Sequence, residues 1–260
     1  MSRFFAVVRA EWTKARTVRS TWWSLAVATV LCVGLAVLLG LQMNSGFERM
    51  SAARQATFDP AQLGFYSLLI GQIALVVFGV LLVSAEFTTG TIRASLAAVP
   101  SRGRFLAAKT VTATMIAGGV ALVVGFGTFF AAQWGLAEHG TTLGQPGVLR
   151  AVFGACAYLT LMCVFAMAVA TMLRSSALSL GILIPVLFLN SQGLSNLPAI
   201  RSVTQYLPDQ AGAGMMQVVV QDKTFIGYRD FGPGVAFLIL LGWVAVALGG
   251  AYVSLRRRDA

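Results

Sequence analysis

Residues 60–109 read PAQLGFYSLLIGQIALVVFGVLLVSA and then EFTTGTIRASLAAVPSRGRFLAAK. The first part, 60–85, contains no Asp, Glu, Lys or Arg. It exceeds the roughly 20 residues a helix needs to cross about 30 Å of hydrocarbon. It lacks the alternation of a barrel strand, so a helix is the way to satisfy its backbone in lipid. The second part starts at Glu86, turns at Gly90 and suits a short helix over 92–98. It breaks at Pro100 and closes on Arg102, Arg104 and Lys109.

Five further charge-free runs lie at 20–47, 110–137, 151–173, 175–200 and 231–255. Only Arg174 separates the fourth crossing from the fifth. A single helix through both is about twice the membrane thickness, so a tight turn is predicted at Arg174 and Ser175. The predicted fold is an all-α membrane protein in one domain, 1–260. Its six transmembrane helices fall near 21–42, 64–85, 110–134, 151–173, 176–194 and 234–255. Pro185 is expected to kink the fifth. Trp22, Trp23, Trp134 and Tyr252 flank span ends as an interfacial belt does; Trp243 does not.

Bulk numbers agree. The chain is 57% hydrophobic and 11% charged, against about 25% charged in a soluble domain, and its mean hydropathy is +0.79. Cys32, Cys156 and Cys163 sit in apolar runs without metal-ligand spacing and read as packing residues. The first apolar run is too long for a cleavable signal.

The net charge of +10 has one address. Residues 1–20, 86–109, Arg174 and 256–260 hold thirteen of the nineteen Lys and Arg with three acids. The opposite loops hold six of each sign. Basic residues collect on the cytoplasmic side, so both termini are predicted there, in the cytoplasmic (inner) membrane. The same segregation explains the charge without nucleic acid as a partner.

Residues 3–19 form a basic amphipathic helix expected to lie at the interface. Phe4, Phe5, Val8, Trp12, Ala15 and Val18 share one face; Arg3, Arg9, Lys14 and Arg16 fall elsewhere. Glu11 breaks the apolar stripe, either as an i,i+3 partner of Lys14 or as a contact to another loop or a partner. The long outer loop, 195–233, is expected to cap the outer face with short helices.

Catalytic chemistry is not expected. His139, the single histidine, reads as a solvated loop residue. The stretch from Gly103 to Lys109-Thr110 ends like a phosphate-binding loop, but Ala108 stands where that motif needs glycine. The spans carry no ionisable residue of the kind ion-coupled carriers keep. Energy for uphill transport is therefore expected from another subunit.

Three motifs resemble the permease subunits of type-2 ABC transporters, a family working mostly as exporters. Glu11-Trp12-x-Lys14-x-Arg16-x-x-Arg19-Ser20 is similar to the family's connecting helix. Glu86-Phe87-x-x-Gly90-Thr91-Ile92-Arg93, with Pro100-Ser101-Arg102 and Leu106-Ala107-Ala108-Lys109, is similar to its first cytoplasmic loop with the coupling helix. Tyr206-Leu207-Pro208 is similar to the outer turn before the last span. The resemblance covers the whole chain, although spans three to five carry no diagnostic motif.

It implies a permease half without catalytic residues, cofactor or metal of its own. A separate ABC-type ATPase on the cytoplasmic face would use ATP and Mg. A second permease, identical or similar, would complete a pathway for a hydrophobic or amphiphilic substrate. Glu86 and Arg93 become candidate transmission residues, with Gly90 and Thr91 shaping the turn and Arg102 and Arg104 flanking it. Gln72, Asn190 and Gln192 are candidates to line the path; interhelical hydrogen bonding is their other role. Two further readings are a non-transporting scaffold or sensor subunit and a stand-alone secondary carrier using neutral oxygens.

Overall fold

A computed structural model describes residues 2–191, 201–219 and 229–257. Among these residues every regular element is helical. In chain order they are α1 (Ser2–Thr17), α2 (Arg19–Gly46), α3 (Ala52–Ala56), α4 (Pro60–Phe65), α5 (Leu68–Thr88), α6 (Ile92–Ala98), α7 (Arg102–Leu136), α8 (Val148–Leu173), α9 (Ser176–Ser191), α10 (Arg201–Thr204), α11 (Pro208–Met216) and α12 (Pro233–Arg257).

Five of them, α2, α5, α7, α8 and α12, are long and apolar enough to cross a membrane. The fifth expected crossing is α9, which is apolar and holds Pro185 inside it. Its 16 residues rise about 24 Å, short of a full crossing, and the expected end at 194 lies outside the described residues. The turn before it is tight. Arg174 adopts the left-handed conformation at φ +57°, and its N–H donates to the Ala170 carbonyl at 2.8 Å, closing α8 as a C-terminal residue does.

The core runs along α5, α7 and α8, where Leu75, Val76, Ala117, Leu159, Met162, Cys163 and Met167 are fully enclosed. All three cysteines are free and buried. The outer helices α2 and α12 present Trp23, Val30 and Leu38, and Leu238 and Val246, outward. That exposure is ordinary where the solvent is lipid. Helices in lipid gain little from apolar burial between themselves, so close approach at small residues matters more. Gly40 of α2 and Gly135 of α7 meet backbone to backbone: a Cβ on Gly40 would stand 2.5 Å from the Ala132 carbonyl oxygen. Gly79 of α5 lies against the Cys163 carbonyl of α8 in the same way.

At one end, α7 begins at Arg102, eight residues before the span predicted from charge. Of the expected connection 86–109, only 89–101 lies off the long helices, and α6 occupies its centre. Gly90 makes the turn at φ +71°. At the other end, His139 is half-buried and stacked on Phe47, with ring centroids 3.9 Å apart. This corrects the expectation of a solvated side chain: the connections after α2 and α7 fold against each other there.

The same end also holds a buried carboxylate. Asp59 Oδ1 accepts from the Ala61 and Gln62 N–H groups at 3.1 Å, capping α4. Its Oδ2 accepts from the Val218 and Val219 N–H groups at 3.0 Å. One side chain thus starts a helix and fastens the chain after α11. Asp59→Ala removes the cap and orphans these donors. It is expected to lower stability by about 2 kcal/mol, measured by thermal melting in detergent. Faster amide exchange at 218–219 is expected with it; unchanged exchange there would contradict the clamp.

Candidate functional site

Glu11 and Ala15 are the buried residues of α1, which packs on α7, whereas Phe5 and Val18 of the expected stripe are exposed. Opposite Glu11 on α7 stands Lys109, between Phe105, Ala108, Thr112 and Ala113 on the buried face. Lys109 is 1% exposed. Its ammonium donates to Glu11 Oε2 at 2.7 Å, Glu86 Oε1 at 2.8 Å and the Leu82 carbonyl at 3.2 Å. These are all the donors a lysine has. The Phe105 ring lies 5.2 Å from Nζ, adding a cation–π contact.

Lys14 serves the same carboxylates from outside. Its Nζ donates to Glu11 Oε1 at 2.9 Å, Glu86 Oε1 at 3.1 Å and Ser95 Oγ at 3.2 Å. Both roles considered for Glu11 are therefore present: the i,i+3 pair with Lys14 and a contact to another element. Two lysines and two glutamates leave no net formal charge. Glu86 Oε1 receives both ammonium groups, while Oε2 is buried without a hydrogen-bond partner among the described residues. The network joins α1, α5, α6 and α7.

Its members differ in environment. Lys109 and Glu11 are enclosed, and removing one partner there leaves an uncompensated charge. The Lys14 side chain is 49% exposed, where an ion pair adds little. Burial alone would lower the Lys14 pKa; hydrogen bonds and charges from Glu11 and Glu86 more than reverse this, and it rises above the usual lysine value. A raised lysine stabilises fully below its unfolded pKa and loses that contribution only as pH climbs past it. The Lys14 arm therefore stays charged across the neutral range.

The other expected site residues divide into groups. Thr91 and Arg93 are exposed on the turn into α6. The Thr91 and Thr89 hydroxyls hydrogen bond at 2.9 Å, and the Arg93 N–H donates to the Gly90 carbonyl. Arg102 reaches away from the network, donating to the Leu255 carbonyl of α12 at 2.6 Å. Arg104 and Arg16 are exposed, and Trp12 packs on the core. Gln72 is buried inside the bundle, and its Nε2 has no hydrogen-bond partner among the described residues. The Asn190 side chain and Gln192 lie outside the described residues.

Lys109 was read from sequence as one charge in a basic cluster, and its place at the centre was missed. The available signal was helical phase. Phe105, Ala108, Thr112, Ala113 and Ile116 make an apolar stripe that Lys109 sits within, as Glu11 sits within that of α1. Two opposite charges, each inside an apolar stripe, answer one another.

The model of a family described as ABC-2 family transporter protein matches residues 7–190. The chain belongs to the ABC-2 transporter family. The match takes in Glu11, Lys14, Glu86, Ser95 and Lys109, and it ends before the outer loop and α12 of this ABC-2 chain. No curated protein matches the sequence. Membership and apolar helices together make this ABC-2 protein a multi-pass membrane protein of transporter type.

Proposed function

We propose that this chain is the permease half of an ATP-driven exporter. It crosses the inner membrane six times, with α9 completing the fifth crossing and both termini in the cytoplasm. It pairs with a second permease, identical or similar. A separate ABC-type ATPase hydrolyses ATP with Mg, and this chain performs no catalysis. The substrate is hydrophobic or amphiphilic, matching the apolar spans.

One observation carries the reading beyond family membership. Lys14 ties α1 and α5 to the short helix α6, while Lys109 ties the same carboxylates to α7. A push on α6 from a docked ATPase then reaches two membrane-crossing helices through one charge-locked body. α6 is the element such a partner would meet, and Arg93 is its exposed cation.

The test is co-purification from mild detergent with co-expressed Walker-motif ATPases, followed by transport and ATP hydrolysis in inverted vesicles. Arg93→Ala is expected to insert as the wild type does. It should lower transport per ATP about two- to thirtyfold, the span of ordinary coupling energies. Wild-type transport per ATP in Arg93→Ala would remove α6 from the coupling route. A chain that moves substrate alone would overturn the proposal itself.

A further inference from the structure

The lysines of the basic face are matched by carboxylates; the arginines are gathered differently. Glu11 and Glu86, the described acids of that face, both serve Lys14 and Lys109. Asp259 lies outside the described residues. Arg102 donates to the Leu255 carbonyl at 2.6 Å, and Arg174 to the Ser254 carbonyl at 3.4 Å. Carbonyls at a helix C-terminus carry partial negative charge, so the end of α12 draws in guanidinium groups from two other elements. Arg256 and Arg257 are already there, both exposed, and Arg256 stacks 5.6 Å from the Tyr252 ring centroid. That ring lies beside Gly103 of α7, the residue before exposed Arg104.

Toward the membrane, this cluster meets an apolar surface. Val253 and Val246 of α12, and Val111 and Met115 of α7, all face outward. Tyr252 sits at the junction as an interfacial aromatic. A cationic rim above an apolar bed matches a molecule with an anionic head and acyl chains. We infer that the cytoplasmic ends of α7 and α12 hold the phosphate headgroup of an anionic phospholipid, with Arg104, Arg256 and Arg257 as its contacts and Val253 against its chains. Basic sites between helices on the cytoplasmic side recognise such headgroups. The assignment is independent of the ATPase reading.

The test uses the full chain in vesicles of equal phosphatidylglycerol and phosphatidylcholine, with a photoreactive benzoylphenylalanine at position 253. Light-driven capture is read by mass. Each arginine near the surface favours the anionic lipid about fivefold, so capture of phosphatidylglycerol should exceed phosphatidylcholine at least fivefold. The same probe at position 122, on the exposed mid-membrane face of α7, should capture both equally. In the triple variant R104Q/R256Q/R257Q the ratio at 253 should fall to about one. A ratio near one in the parent, or no change in the triple variant, overturns the proposal. Loss of the ratio with millimolar inorganic phosphate would assign the cluster to free anions instead. Capture of an added ATPase in place of lipid would assign it to that partner.

Discussion

Replacing Lys109 with methionine is expected to cost the fold about 3–5 kcal/mol, the usual penalty for removing one member of a buried ion pair. Methionine fills the aliphatic space, so the loss is electrical. Glu11 and Glu86 would face each other with Lys14 as their remaining lysine, and that side chain is half in solvent. Thermal melting of the purified protein in detergent measures the effect. Two further variants separate charge from packing. Lys14→Met should cost no more than about 1 kcal/mol, as exposed pairs do. Combining K109M with E86Q should recover part of the loss, because one of the stranded carboxylates is gone; the double-mutant cycle gives the coupling. A K109M protein that melts at the parental temperature would show that the network does not hold the helices.

The second large effect is steric. Gly79→Val would drive its Cβ into the Cys163 carbonyl of α8, inside any distance real side chains reach. The obstacle is backbone, so no rotamer change relieves it and α5 must move away from α8. Overpacking of a rigid core commonly costs about 1–3 kcal/mol and sometimes more. Here the displaced pair forms the centre of the bundle, and the upper end or beyond is expected. The readout is loss of the monodisperse peak in size exclusion together with a lowered melting temperature. Gly34→Ala on α2 is the control, since nothing lies within 4 Å of its added carbon. It should be neutral or slightly stabilising through helix propensity. Equal behaviour of the two variants would contradict the close α5–α8 contact.

Apolar run length and charge position carried much of the fold. Gly90, Pro100 and the run 92–98 announced the turn, break and short helix that the structure contains. Arg174 between two apolar runs announced the tight turn. Charge misled at Lys109: a rule that ends spans at the first lysine ends α7 too early, because a lysine can be buried when two carboxylates come to it. Those carboxylates are 98 and 23 residues away, a pairing that only tertiary structure creates. The Asp59 clamp was invisible for the same reason. Its partners near Val218 are backbone N–H groups, which every residue but proline possesses, so no residue type signals them. Arg102 shares a motif with Glu86 in sequence but parts from it in space, because α7 turns it toward the end of α12.

The length of α7 has a mechanical consequence. It is one unbroken helix from Arg102 to Leu136. Near its C-terminal end the Gly40–Gly135 backbone contact grips it. Gln133 fastens it there too, donating to the Pro60 carbonyl at 3.0 Å and accepting from the Thr141 N–H at 2.7 Å. The rod is gripped at its other tip as well. From Gly135 to Arg102 the helix runs about 50 Å, and at the far end Lys109 holds it to Glu11 and Glu86 while Arg102 donates to the Leu255 carbonyl. A displacement of the Lys109 end is therefore carried along one continuous strut to the Gly40–Gly135 contact.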